Sequence, residues 1–332
     1  MTASTTRASA AAPEPRERLE AIDQFRGFAI LLMVLADYLA KPQAVPAWLK
    51  HAHDVGFTVI DLIAPLFIFA IGLTYGMSFR RRLARSGGWQ TAVDFVRRYC
   101  ALIGIGFLLT LLGDLSGVYP STVNWGLLQA IGAAGLLTLL VIWLRWPWRL
   151  VAGLALLAAY QVLLDRFWLQ NVLDAIHGGP WAAFAWGSML ILSTVLADFY
   201  HDKALRRFFP WASLALLVIG IGLMFLVPVS KNRVSGSYVL ITVGASALIF
   251  GLFHLIESRW RMRIPVLSEW GKNALLLYLL HGVLIGVFAL PPAPGWYVAA
   301  PPWLIAAQAT ALVAVLSGIG IYCNRRGWFL NL

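Results

Sequence analysis

The sequence has little charge for its length. Asp, Glu, Lys and Arg make up only 12% of the 332 residues, whereas 60% are hydrophobic and the mean hydropathy is +0.75. A soluble domain carries charge on about 25% of its residues, so too little polar surface remains here to coat a globule in water. A soluble enzyme or binding module is therefore excluded, and the chain is expected to have lipid as its solvent.

Cysteine is also scarce. Cys100 and Cys323 lie in or beside apolar segments and give no spacing typical of a disulfide framework or a zinc site. The chain has no Asn-x-Ser/Thr sequon, and residues 1–20, rich in Ala, Thr and Pro, lack the apolar core of a secretory signal. We expect a disordered cytoplasmic tail over residues 1–20 and a single transmembrane domain over residues 21–332.

Long apolar runs dominate the rest of the sequence. A hydrocarbon core about 30 Å thick needs roughly 20 apolar residues per helix. Ten such windows are bounded by charged residues, Pro or Gly: 24–41, 57–78, 92–113, 123–144, 149–165, 182–198, 209–228, 237–256, 270–290 and 303–322. The predicted fold is all-α, a polytopic transmembrane helical bundle of about ten spans.

Basic residues mark one side of this predicted bundle. With a cytoplasmic N-terminus, all but five of the 26 Lys and Arg residues fall in inside segments or at inside helix ends. The five outside residues are Lys41, Lys50, Arg166, Lys231 and Arg233. This bias predicts that both termini are cytoplasmic. It also explains the net charge of +11 by topology, so nucleic acid is not an expected partner.

Ionisable residues interrupt the apolar windows. Each costs about 2.5–3.5 kcal/mol on membrane insertion, so each is expected to face the bundle interior or a wet cavity. Asp23 and Arg26 open the first span and Asp37 lies near its outer end. Asp61 opens the second span, and His281 lies inside the ninth. Asp23 and Arg26, three residues apart, form either a structural ion pair or a grip on an anionic donor.

The connection between the first two spans carries the most chemistry. A neutral imidazole at His51 can take a proton from an attacking amine or hydroxyl, so His51 is a candidate general base or acyl acceptor. Asp61 or Asp54 would orient it. The alternative is a solvated loop histidine without a catalytic role. No metal is expected, because His51 and His53 lack a third ligand and zinc normally has at least three protein ligands.

Span nine carries a polar stripe. Asn273 and His281 are eight residues apart and therefore lie on broadly the same side of a helix. Such a stripe predicts either the lining of a cofactor cavity or hydrogen bonds between helices.

Several segments resemble one family. They are Arg18–Gly27, Met33–Tyr38 and His51–Gly72, with weaker similarity at Gly126–Gln129 and Gly271–Ala274. The patterns His-Ala, Gly-x-Thr-Val-x-Asp-Leu-x-x-Pro and Phe-x-Phe-x-x-Gly are similar to the catalytic domain of heparan-alpha-glucosaminide N-acetyltransferases. The resemblance extends over residues 18 to 332. It implies an enzyme that takes acetyl-CoA on the cytoplasmic face and acetylates an amino sugar on the opposite face.

The resemblance also implies roles for individual residues. His51 falls on the catalytic histidine of the family, and Asp61 and Asp37 complete the expected catalytic set. Asp37 replaces an Asn that is associated with catalysis in a lysosomal member, and Ala130 replaces a usual Arg. The residues expected to bind the CoA donor are Arg26, Arg80, Arg98, Lys272, Asn273 and His281.

These observations predict a multi-pass acyltransferase in a bacterial plasma membrane. Its expected partners are membrane lipid, acetyl-CoA as donor and an amino-sugar or glycan acceptor, with a monomer or a homodimer left open. Two rival functions stay open as well. A proton-coupled transporter or flippase is motivated by the acids within the spans. A non-catalytic scaffold is motivated by the departures at Asp37 and Ala130.

Overall fold

Helices account for most of the chain in a computed structural model that describes residues 20–115, 125–289 and 294–330. The predicted tail over residues 1–20 lies almost wholly outside the described residues. The α-helices are α1 Glu20–Leu39, α2 Ile63–Leu115, α3 Leu127–Val141, α4 Trp146–Leu163, α5 Leu169–Leu173, α6 Ala183–His201, α7 Phe209–Leu223, α8 Gly236–Trp260, α9 Pro265–Lys272, α10 Ala274–Ala289, α11 Gly295–Val298 and α12 Pro302–Arg325.

Each of the ten apolar windows overlaps one of these helices. Six helical segments are long and apolar enough to cross a membrane: Val59–Leu115, Trp146–Leu173, Ala183–His201, Arg206–Leu223, Gly236–Trp260 and Pro302–Arg325. Leu127–Val141 and Ala274–Gly286 are shorter apolar helices. The chain is therefore a multi-pass helical membrane protein, which confirms the predicted class. The count of ten spans and the cytoplasmic termini stay predictions.

One helix, α2, contains two of the predicted windows. It bends back on itself at Gly87, whose φ of 75° and ψ of 174° are accessible essentially to glycine alone. Aromatic contacts show that the two arms lie side by side, since Tyr75 stacks on Tyr99 with ring centroids 5.6 Å apart and Phe79 meets Phe95 at 5.5 Å. Gly87 therefore turns α2 into an antiparallel helical hairpin.

The first helix packs closely against α9. A Cβ added at Gly271 would lie 1.9 Å from the backbone oxygen of Asp23, and one at Gly27 would lie 1.9 Å from that of Leu267. Both contacts involve backbone atoms, which cannot move aside as a flexible side chain can. Small residues let helix backbones approach closely in membranes, where packing drives helix association. The two glycines therefore fix the position of α1 against the C-terminal part of the bundle.

Substituting Gly271 tests this contact. Gly271→Ala is expected to lower the free energy of unfolding by about 1–3 kcal/mol, because an overpacked core must shift its backbone. Thermal unfolding of the purified protein in detergent measures the change. Gly318→Ala in α12 is the matched control, since a Cβ there meets nothing within 4 Å. A Gly271→Ala protein that melts with the wild type would contradict the proposed close approach.

Candidate active site

His51 and Asp61 form the centre of the candidate site. Nδ1 of His51 lies 2.8 Å from Oδ1 of Asp61. The Asp61 side chain is fully buried, whereas 42% of the His51 side chain is exposed. A proton on Nδ1 donated to the carboxylate leaves Nε2 of His51 as the free acceptor. The structure thus brings together the two residues that the sequence motif named as base and orienting acid.

The local fold explains why Asp61 is held in place. Residues Val59–Leu62 form a 3₁₀ turn that leads into α2, and Thr58 precedes it in an extended conformation. The backbone N–H of Thr58 donates to Oδ2 of Asp61 at 2.9 Å, which closes a capping box at the start of the turn. From α8, the hydroxyl of Tyr238 donates to the backbone oxygen of Asp61 at 2.7 Å. Asp61 is thereby fixed from two directions.

Asp37 pairs with His281. Its Oδ2 lies 2.9 Å from Nε2 of His281, and this contact joins the C-terminal end of α1 to the middle of α10. His281 is only 3% exposed, and its buried Nδ1 has no hydrogen-bond partner among the residues that the structure describes. The structure therefore places His281 with the proposed catalytic residue Asp37, away from the other residues expected to bind CoA.

Lys231 is a charged residue of this region that the motif analysis did not single out as functional. It lies between α7 and α8 and is only 9% exposed. Burial lowers the pKa of its ammonium, while the carboxylates of Asp61 and Asp37 act in the opposite direction. Its charge therefore interacts with both predicted catalytic acids. A usable signal was present in the sequence, since Lys231 is one of the five basic residues on the predicted outside.

His177 was also assigned no role from the sequence. Its backbone has a φ of 53°, a conformation uncommon for residues other than glycine. Burial, together with the nearby charges of Lys231 and His51, lowers the pKa of His177 well below its ordinary value. Nδ1 of His177 is buried and unpaired within the described part of the chain. Its neighbours place it at the same end of the bundle as His51.

Hydrogen bonds and an ion pair hold the loop that carries Lys231 against the loop that carries His51. Arg233 forms an ion pair with Asp54, with Nε donating to Oδ1 at 2.8 Å. The backbone N–H of Gly56 donates to the Val229 oxygen at 2.8 Å, and the Asn232 amide donates to the His53 oxygen. Hydrogen bonds from Arg233 hold the pKa of Asp54 below its ordinary value.

Most of the residues expected to bind CoA lie at the opposite end of the bundle. Arg26 contacts Asp23 and the backbone oxygen of Gly271, and Lys272 pairs with Glu269. Arg80 pairs with Asp198. On α2, Arg80 follows Asp61 by 19 residues, which corresponds to about 28 Å along a helix. Arg80 and Asp61 are therefore separated by a distance close to the thickness of a hydrocarbon core, about 30 Å.

The side-chain amide of Asn273 forms structural hydrogen bonds at the end of the bundle that carries Lys272. Its Nδ2 donates to Asn324 and to the backbone oxygen of Trp328, and its Oδ1 accepts from the N–H of Leu330. The predicted continuous ninth span is wrong at this point, because Asn273 lies in a turn between α9 and α10 and shares no continuous helix with His281. Its contact with Asn324 of α12 matches the alternative of hydrogen bonds between helices. The part of the chain that the structure describes contains no group of three His, Cys, Asp or Glu residues that could hold a metal ion.

Comparison with known proteins identifies the family of the chain. The sequence profile of the family described as "Heparan-alpha-glucosaminide N-acetyltransferase, catalytic" matches residues 18–256. The chain belongs to this family. The matched range contains the acetyltransferase-family motif around His51 and Asp61, and it also contains His177 and Lys231.

Two curated proteins are distant relatives of this chain. The human heparan-alpha-glucosaminide N-acetyltransferase is 38% identical over 120 residues, which are 35% of this chain and 17% of the human protein. The mouse protein of the same name is 33% identical over 129 residues, which are 36% of this chain and 19% of the mouse protein. The chain thus spans less than a fifth of the length of these curated relatives.

The Asp54–Arg233 ion pair predicts a pH-dependent stability. Because the pKa of Asp54 is lowered in the folded protein, the pair stabilises the fold above the unfolded-state pKa of about 3.9. The stabilisation is lost as pH falls through the folded-state pKa. Asp54→Asn is therefore expected to lower the melting temperature near neutral pH, and the difference from the wild type should vanish under acidic conditions.

Thermal unfolding across a pH series measures this difference. Asp174→Asn is the control, since that exposed carboxylate accepts a hydrogen bond from neutral Gln170 and forms no salt bridge within the described residues. A difference in melting temperature between Asp54→Asn and the wild type that is the same at every pH would show that the ion pair does not hold the loops together.

Proposed function

We propose that the protein is a membrane acetyltransferase that moves an acetyl group from cytoplasmic acetyl-CoA to an amino-sugar or glycan amine on the extracytoplasmic side. The observation that carries the proposal is the His51–Asp61 pair. A buried carboxylate bound to Nδ1 and a partly exposed imidazole with Nε2 free form the arrangement that a general base requires.

The proposed chemistry follows from this pair. Nε2 of His51 takes a proton from the acceptor amine as the amine attacks the thioester carbon. Asp61 stabilises the imidazolium that forms, because the buried carboxylate already accepts the Nδ1 proton. His51 then returns the proton to the thiolate of CoA. The membership of the chain in the N-acetyltransferase family supports the choice of acetyl-CoA and an amine.

The proposed orientation has ten spans and cytoplasmic termini, with His51 on the outside. The charge distribution and the structure both support it. The distribution of Lys and Arg places the connection between α1 and α2 outside. The structure separates His51 and Asp61 from Arg26, Arg80 and Lys272, which cluster at the end of the bundle where CoA would enter.

Arg98 is the best candidate for a contact with the CoA phosphates. It lies within the second arm of α2, where an arginine is costly unless it has a function. Its guanidinium lies over the ring of Tyr99 at 5.7 Å, and its buried Nε finds no hydrogen-bond acceptor in the described residues. Arginine is well suited to phosphate because it presents several donors in a fixed geometry.

Removing the base or its orienting acid tests the reaction. His51→Ala and Asp61→Asn are each expected to lower kcat for acetyl transfer to glucosamine by about 10²–10⁴-fold, the usual contribution of general base catalysis. The KM for acetyl-CoA should stay close to the wild-type value. Transfer of labelled acetyl groups by purified protein in detergent measures both. His53→Ala, an exposed histidine two residues away, is the matched control.

Two results would contradict this proposal. Wild-type protein that transfers no acetyl group to any amine acceptor would leave no support for the enzymatic function. A labelled acetyl group retained on His51 in the absence of acceptor would show that this histidine carries the acetyl group and does not act as a simple base.

A donor without phosphates tests Arg98. Arg98→Met is expected to raise the KM for acetyl-CoA about tenfold or more, which corresponds to about 1.4 kcal/mol of lost binding. With S-acetylpantetheine, the variant and the wild type should have equal kinetics. Arg97→Met, at the exposed neighbouring position, is the control. An Arg98→Met defect that is equally large with both donors would place Arg98 elsewhere than at the phosphates.

A further inference from the structure

The loop that carries Lys231 is held rigidly. Ser230 and Ser235 bond to each other through backbone and side-chain atoms at 3.1 Å, and the backbone oxygen of Arg233 accepts from Tyr160 at 2.6 Å. Val234 has a φ of 49°, an outlier for a β-branched residue, and is fully buried. Strained backbone that the surrounding structure holds in place is typical of functional sites. Such a loop fixes the position of the Lys231 side chain.

Lys231 has no close counterion in the described structure. Asp37 and Asp61 interact with its charge, but their hydrogen bonds go to His281 and His51, and no described salt bridge reaches Lys231. Arg233, two residues later, is already neutralised by Asp54. The Lys231 side chain is 9% exposed, and no hydrogen bond or salt bridge of the described residues satisfies its ammonium. Buried charges are normally paired, so this ammonium is available to a ligand atom. Nearby, Nδ1 of His177 is a buried polar atom without a hydrogen-bond partner among the described residues.

The balance of charge indicates what this ligand atom is. With neutral histidines, Asp37, Asp61 and Lys231 together carry one net negative charge. A permanently anionic acceptor would add to that negative charge and is disfavoured by repulsion. An oxygen that becomes negative only while His51 becomes positive leaves the net charge of the site unchanged. Such an oxygen is the carbonyl oxygen of the acetyl thioester.

We propose that the ammonium of Lys231 binds the acetyl carbonyl oxygen and stabilises the negative charge that develops there during transfer. This inference rests on the proposed acetyltransferase function. Fixed donors in a site with little water stabilise developing charge without having to reorient. A compact ammonium on a buried stem provides such a donor.

The step balances as follows. The lone pair of the acceptor amine forms a bond to the carbonyl carbon, and the π electrons of the C=O bond move onto the oxygen beside Lys231. The proton of the amine moves to Nε2 of His51. The electron pair on the oxygen then re-forms the C=O bond, the C–S bond breaks, and the thiolate of CoA takes the proton from His51. Lys231 keeps its own proton throughout.

Lys231→Met tests the role by removing the charge at similar volume. It is expected to lower kcat for acetyl transfer to glucosamine by about 10²–10³-fold, the usual cost of losing one such donor. The KM values for glucosamine and acetyl-CoA should change little. Lys41→Met, an exposed lysine in the outer connection after α1, is the control. Thermal stabilisation by acetyl-CoA checks that the variant is folded, and Lys231→Gln replaces it if Lys231→Met does not accumulate.

The pH profile provides a readout that a structural role would not change. The titratable groups that interact with Lys231 or border it are Asp37, Asp61, His51, His177 and His281. Wild-type activity should fall at alkaline pH as Lys231 loses its proton, below the ordinary lysine pKa of about 10.4. Lys231→Arg keeps the charge, so its alkaline limb should move to higher pH even if its kcat is reduced.

Each outcome distinguishes this inference from the proposed function. An active wild type with an unchanged kcat in Lys231→Met would overturn the role of Lys231 and leave the enzyme intact. A loss confined to the KM for glucosamine would instead assign Lys231 to acceptor binding and overturn the inference. If the activity of Lys231→Arg falls at the same alkaline pH as that of the wild type, the proposed role of Lys231 is also overturned. Absence of transfer by the wild type would overturn both proposals.

Discussion

The structure of the candidate site depends on one buried carboxylate. Asp61 stands at the start of a membrane-spanning helix, where an unpaired charge would be costly, so the chain must supply partners for both of its oxygens. His51, Ala52 and Thr58 provide them, and each lies in the segment that connects α1 to α2. The hydrogen bonds that satisfy the Asp61 carboxylate also determine the conformation of this connection and orient the imidazole of His51. The same contacts therefore stabilise the local fold and position the candidate base.

Contacts that hold Asp61 and its loop in place also come from the second half of the bundle. Tyr238 on α8 is bound to the backbone of Asp61, and the loop before α8 is bound to the His51 loop through Asp54 and Arg233. The site therefore forms only when α2 and α8 are packed together, although the two helices are far apart in sequence. The loop that carries Lys231 is part of this contact. A change in the loop before α8 can thus alter the position of a cation near His51 without touching the residues of the motif.

Sequence reasoning was sufficient where the signal was local. Apolar windows located the helices, and the motif from His51 to Asp61 places both partners within ten residues, so their pairing could be anticipated. The partner of Asp37 could not be anticipated in this way, because His281 lies 244 residues away. Contacts between distant helices leave no periodic pattern in a single sequence. Asn273 illustrates the same limit, since a cavity lining and a structural clamp require the same polar residue on the same helix face.

In the proposed reaction, the separation of the two ends of the bundle limits how a soluble donor would reach His51. Donor phosphates held at Arg80 would lie about 28 Å from the level of Asp61, close to the full thickness of the hydrocarbon core. Arg98 lies nearer, because its neighbour Tyr99 stacks on Tyr75, which follows Asp61 by 14 residues or about 21 Å. A donor bound at Arg98 therefore has less of the membrane left to cross with its thioester arm. In the proposed reaction, Arg98 would hold the donor within the bundle, whereas Arg80 would attract it at the entrance.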